Sequence, residues 1–231
     1  MPRPGHGIDD EPHLRSGAAD IDEPDHRLGD EPALRGRGDA DRFTSWSHHL
    51  DERMAAVGMP ARVLTMFLAV LAAGPFAVFG AFAQASLTAT LFGMLALVVI
   101  VPVLEEALKV AVPMWLAERK PWLLPGSVGI VLIGLAGGAG FGAIENAMYL
   151  LVYIDDPSDT IIRWRWFLCM PMHMLASTIA ALGVARMWRE AIRTRRPAEI
   201  ATAAPFVTAA AVIHGAFNAM AIGASMMGWV E

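Results

Sequence analysis

Residues 126–154, GSVGIVLIGLAGGAGFGAIENAMYLLVYI, run for 29 positions with one charge, Glu145. A helix of about 20 such residues crosses a hydrocarbon core about 30 Å thick. Lipid offers backbone N–H and C=O groups no partner, so an apolar run of this length folds as a helix. Working outward, four more such runs appear, at residues 62–82, 87–116, 164–188 and 203–229. The chain therefore reads as all-α, a multi-pass transmembrane helical bundle of about five spans. The second run is too long for one straight crossing, and Pro102 is the place where it is expected to kink.

Composition agrees. Of 231 residues 55% are apolar and 18% charged, against about 25% charge in an ordinary soluble domain. Residues 1–59 hold thirteen of the 23 acidic groups, seven of the 18 basic groups and five of the seven histidines. That acidic segment repeats a D-E-P-x-x-R unit at Asp10, Asp22 and Asp30 and has too little apolar surface to offset its ordering entropy. It is expected to be a disordered cytoplasmic tail, with residues 60–231 forming the membrane domain. Phe43, Trp46, Leu50 and Met54 space out as a short interfacial helix at its end. With no polar-to-apolar leader at the start, the first apolar run is expected to serve as an uncleaved insertion signal. No clustered basic footprint for nucleic acid exists. Cys169 stands alone, which excludes an internal disulfide or a multi-cysteine metal site.

Loop charge gives an orientation. Arg119 and Lys120 follow the second run, five arginines (Arg186, Arg189, Arg193, Arg195 and Arg196) follow the fourth, and Arg42, Arg53 and Arg62 precede the first. The alternate loops are uncharged at 84–88 and acidic at 155–159. The positive-inside rule then puts the N-terminus in the cytoplasm and the C-terminus outside a plasma or inner membrane. Trp115, Trp122, Trp164, Trp166, Trp188 and Trp229 fall at span ends, where an aromatic belt forms.

An ionisable side chain in hydrocarbon costs from about 2.5 kcal/mol upward, so the few present mark function by default. They are Glu105, Glu106, Lys109, Glu145, His173 and His214, joined by Asn146 and Asn218, the only two asparagines. Glu105-Glu106-x-x-Lys109 holds a possible helical ion pair, but one lysine leaves a carboxylate over. Adjacent carboxylates in low dielectric repel each other, the arrangement by which a general base is tuned. Glu145 has no cation within a turn on its own helix. His214 and Asn218 lie four apart on one helix face, suited to hydrogen bonding between helices or to stabilising a developing oxyanion. Counted from the outer span ends, Glu145 and His173 lie roughly 12–14 Å deep and Asn218 about 16 Å. Glu105 reaches that level only if its helix effectively starts near Leu95, with an irregularity just before it.

E-E-A-L-K at 105–109, G-F-G-A-I-E-N-A-M-Y at 140–149, a span with His173, and H-G-A-F-N at 214–218 occur in that order. Together they resemble the PrsW family of intramembrane proteases, and more distantly the CAAX-prenyl-endopeptidase and bacteriocin-processing superfamily. The resemblance covers roughly residues 101–220 and implies cleavage of a membrane-embedded protein substrate, as when an anti-sigma factor is clipped. It implies that Glu105 and Glu106 are the essential carboxylates and His173 and His214 the histidines. Likeness to the related endopeptidases implies a water activated by Glu105, assisted by Glu106 or Glu145, with His214 and Asn218 holding the oxyanion. Lys109, Phe141 and Asn146 are expected to support the site.

Two mechanisms are open. The expectation preferred here requires no cofactor, because the chain has no H-E-x-x-H motif. The alternative places Zn2+ on Glu145, His173 and His214 and keeps Glu105 as base. Outside proteolysis, the same residues suit a proton-coupled transporter, although no internal repeat supports one, or a scaffold that binds partners through the tail. Aspartyl chemistry is disfavoured, since every aspartate beyond the tail lies at 155–159. The oligomeric state is not legible.

Overall fold

A computed structural model describes residues 46–75, 82 and 91–229. The expectations for the tail up to residue 45, Phe43 included, and for most of 76–90 lie outside the described residues. Every regular element among the described residues is helical: α1 (Trp46–Ala56), α2 (Met59–Ala72), α3 (Leu91–Leu95), α4 (Val101–Arg119), α5 (Ser127–Met148), α6 (Asp159–Trp164), α7 (Met170–Thr194) and α8 (Ala204–Met226). Single π turns, Ala96–Ile100, Tyr149–Tyr153 and Arg165–Cys169, extend α4, α5 and α7.

Two of these turns have a readable cause. Pro102 and Pro171 lack the N–H that an α-helix would direct to the carbonyl four residues back. In each case the turn just before the proline widens, with Val101 N–H reaching Ala96 O and Met170 N–H reaching Arg165 O. The irregularity expected ahead of Glu105 is therefore a π bulge. The chain continues through it as one long helical run, Leu91 to Arg119.

Three runs are long and apolar enough to cross a membrane: Ser127–Tyr153, Asp159–Thr194 and Ala204–Met226. A fourth is available if α1 and α2, bent by 98°, count as one broken span. The α3–α4 run packs into the same bundle, so three to four candidate spans among the described residues are roughly consistent with the expected five. The protein is a multi-pass membrane protein.

Helix α7 is the hub. It packs against α5, α8 and α4, while α8 also covers α4 and its π turn, and α2 lies on α5. Its inner face is built of small residues, with Ala176, Ser177, Ala180, Ala181 and Val184 wholly buried. In lipid, helices associate through such close packing rather than through a hydrophobic drive. Gly138 of α5 shows how tight the fit is: a Cβ there would sit 2.6 Å from the His173 carbonyl oxygen. Large apolar side chains such as Phe67, Phe92, Phe167 and Val212 point outward, toward what the fold makes the lipid side.

The basic loops meet at one end. Trp188 Nε1 donates to the Pro121 carbonyl at 2.9 Å, and Arg195 pairs with Asp51 at 2.6 Å. His49 stacks edge-on against Trp122, ring centroids 5.2 Å apart. Helix α1 therefore docks on this end through its buried Leu50, where an interfacial helix was expected.

Candidate active site

The polar cluster starts on α4. Glu105, Glu106 and Lys109 share one face of the helix and are all buried. Lys109 Nζ donates to Glu106 Oε1 at 2.7 Å and stands 3.8 Å from Glu105 Oε2. The dominant pair thus spans three residues, Glu106 with Lys109, rather than four. The single ammonium lies near both carboxylates, bonded to one and 3.8 Å from the other.

Helices α5 and α7 supply the next groups. Contact at Gly138 draws the two helices together and sets Glu145 against His173, Oε2 to Nε2 2.7 Å. The ring's other nitrogen, Nδ1, lies 2.9 Å from Lys109 Nζ. An ionised carboxylate only accepts, so Nε2 carries the proton and donates to Glu145, while the Nδ1 lone pair accepts from Lys109.

Helix α8 closes the cluster. Gly215 lets it reach the Val98 carbonyl of the π turn, and Asn218 Nδ2 donates to Leu97 O in the same turn at 3.0 Å. His214 then enters between the glutamates, its Nδ1 donating to Glu106 Oε1 at 2.8 Å and its Nε2 3.8 Å from Glu105 Oε2. The two imidazoles meet edge to face, centroids 4.9 Å apart. Phe141 walls the site, 5.2 Å from the His173 ring and 3.9 Å from Lys109 Nζ.

Glu105, Glu106, Glu145, His173 and His214 are each at most 3% exposed. Groups from α4, α5, α7 and α8, separated by up to 109 positions in sequence, thus form one buried cluster. Of the residues singled out, Asn146 is the one turned aside: its Nδ2 donates to the Arg165 carbonyl at 2.9 Å, where it ties α5 to the π turn Arg165–Cys169.

Sequence reasoning passed over two residues. Ser177 Oγ donates to Glu106 Oε2 at 3.4 Å. Its position four residues beyond His173 on the same helix was the available signal. Arg165 Nη1 lies 4.0 Å from Glu145 Oε2, and its guanidinium stacks 3.3 Å from the centre of the Tyr149 ring. It lies inside the fourth apolar run, 164–188, yet is not among the ionisable residues singled out there. A cavity of about 300 Å³ opens beside the cluster, walled by Glu145, Tyr149, Arg165, His173, His214 and Asn218 among others.

Residues 54–230 match the PrsW family of intramembrane metalloproteases. This chain belongs to that family. No curated protein and no solved structure matches it. Membership makes the chain an intramembrane peptidase that acts on membrane proteins in lipid.

The expectation that a PrsW-family member of this sequence requires no cofactor is overturned. The family is one of metalloproteases. Donor atoms of Glu105, Glu106, His173 and His214 also lie within 4.8 Å of one another in the buried cluster. Two carboxylates and two imidazoles are a donor set for zinc or a similar divalent ion. The missing H-E-x-x-H motif misled because that motif holds its ligands on a single helix. Here three helices share the work, and no local pattern carries it.

Proposed function

We propose that the protein is a zinc-dependent intramembrane endopeptidase for regulated cleavage of a membrane-anchored protein, in the manner of anti-sigma-factor clipping. The observation that carries this is the four-donor group, two glutamates and two histidines from three helices, buried beside a cavity.

In this reading Glu106, His173 and His214 hold the ion and Glu105 is the general base. Glu106 suits an anchor because Lys109, His214 and Ser177 all donate to its oxygens. Glu105 suits a base because its Oε2 stands 3.8 Å from both Lys109 Nζ and His214 Nε2, beside the proposed ligands rather than among the short bonds that hold Glu106. When bound, the ion supplies Lewis acidity, which polarises a peptide carbonyl and acidifies water. Glu105 takes the proton from the attacking water and delivers it to the leaving amine. Asn218, with one N–H spent on Leu97, offers its second to the developing oxyanion in the cavity.

Glu145 holds His173 in the tautomer that leaves Nδ1 free of a proton, the role an outer carboxylate plays behind a metal-bound imidazole. Arg165 and Tyr149 frame the cavity where the substrate backbone would lie. Basic side chains at the α1, α4 and α7 end favour a cytoplasmic N-terminus, with the cavity toward the opposite face.

The test is a membrane-proteome comparison of cells carrying the wild-type chain or Glu105→Gln. Accumulation of an uncut single-span protein in the variant supports the reading. Identical proteomes, with both proteins inserted at equal levels, refute it.

A further inference from the structure

The ammonium of Lys109 occupies the middle of the donor group. Its Nζ is 2.7 Å from Glu106 Oε1, 2.9 Å from His173 Nδ1 and 3.8 Å from Glu105 Oε2, so it touches or faces three of the four metal-binding candidates. The contact with His173 is the telling one. Nε2 gives its proton to Glu145, which leaves Nδ1 as that ring's one lone pair, and the lone pair is spent on Lys109. A divalent ion sits about 2.0–2.2 Å from its nitrogen and oxygen ligands. It cannot share Glu106 Oε1 and His173 Nδ1 with an ammonium already at hydrogen-bond distance from both, because the two cations would overlap and repel.

We propose that Lys109 is a resident counter-cation that fills the centre in the metal-free protein and must withdraw for the ion to enter, so that loading is an exchange of ammonium for metal. This rests on the metal-centre reading above and goes beyond it, since the lysine is neither ligand nor base. The fold provides for both states. Without metal, two adjacent buried carboxylates need a cation, and Lys109 supplies it at 1% side-chain exposure. The ring of Phe141, whose centre is 3.9 Å from Nζ, already gives the ammonium a cation–π contact that it can keep as it swings out of the donor group. Lysine suits this better than arginine: its compact head swings on a flexible four-carbon stem, whereas a guanidinium forks across two acceptors and is held there.

The experiment uses the full-length chain in lipid nanodiscs, titrated with zinc against a chromophoric chelator, with association followed by stopped flow. Lys109→Met is expected to bind zinc at least tenfold tighter and to associate faster, while its metal-free form melts lower than wild type. Lys109→Arg, which keeps the charge, is expected to bind at least tenfold weaker than wild type. Equal or weaker binding by Lys109→Met, or wild-type binding by Lys109→Arg, overturns the exchange. If wild type and both variants take up no more zinc than His214→Ala, the metal centre fails as well. If wild type binds, His214→Ala does not, and Lys109→Met is no tighter, the exchange alone fails.

Discussion

Glu145→Gln separates an outer carboxylate from a metal ligand. The 2.7 Å contact from His173 Nε2 to Glu145 Oε2 is a charge-assisted bond. Such bonds are worth about 1.5–3 kcal/mol, against about 0.5–1.5 for a neutral pair. Glutamine still accepts through its carbonyl, so the ring keeps its tautomer and position and loses about 1–1.5 kcal/mol of support. Arg165, 4.0 Å from the same oxygen, also loses its counter-charge, and its field then opposes a bound cation. Both effects point the same way. Zinc affinity is expected to fall about 10- to 100-fold, the usual cost of changing an outer partner of a metal-bound histidine, with the fold and insertion intact. The assay is the chelator competition in nanodiscs, paired with thermal melting of the metal-free protein. Unchanged affinity refutes the orienting role. Complete loss of zinc binding shows that Glu145 is itself a ligand.

Other outcomes follow from the same geometry. Glu105→Gln is expected to lower turnover by about 10²- to 10⁴-fold, the range for a lost general base, while elemental analysis still finds metal. Glu106→Gln is expected to lose the metal itself, because the acceptor shared by Lys109 and His214 is neutralised; if the two variants behave alike, the division of labour is wrong. A chelator is expected to abolish cleavage by the wild-type chain, and added zinc to restore it. Gly138→Val puts a branched side chain where even a Cβ lies 2.6 Å from the His173 carbonyl. Overpacking of about 1–3 kcal/mol should lower the melting temperature and reduce zinc affinity together, since it parts Glu145 from His173.

The membrane architecture was open to reading because lipid imposes a one-dimensional rule, an apolar run of fixed length, that needs no tertiary information. The positions that gather were open for the same reason: charge in hydrocarbon is costly enough that Glu105, Glu145, His173 and His214 had to have partners. The partners themselves were not legible. Whether Lys109 meets Glu105 or Glu106 depends on the side-chain rotamers, and both spacings are helical neighbours. Arg165 falls inside the fourth apolar run, 164–188, one residue from its start, where it is not counted among the ionisable groups of the spans. In the structure the helix continues outward to Asp159, which places Arg165 over the cavity. Pro102 was marked as the place for a kink in the second run; the structure has a π turn at Ala96–Ile100 just before it, which α8 meets through Gly215 and Asn218.

Glu105 also tests whether the Glu105-Glu106 pair serves the fold or the chemistry. Glu106 Oε1 is held by short bonds from Lys109 and His214, at 2.7 and 2.8 Å, whereas the same two residues stand 3.8 Å from Glu105 Oε2. Two adjacent carboxylates repel each other in a low-dielectric interior, so neutralising one of them relieves a cost in the metal-free protein. Replacing Glu105 with glutamine should therefore leave a metal-free bundle at least as stable as wild type and unable to cleave. A large loss of metal-free stability in that variant would instead mark Glu105 as a structural partner of Lys109.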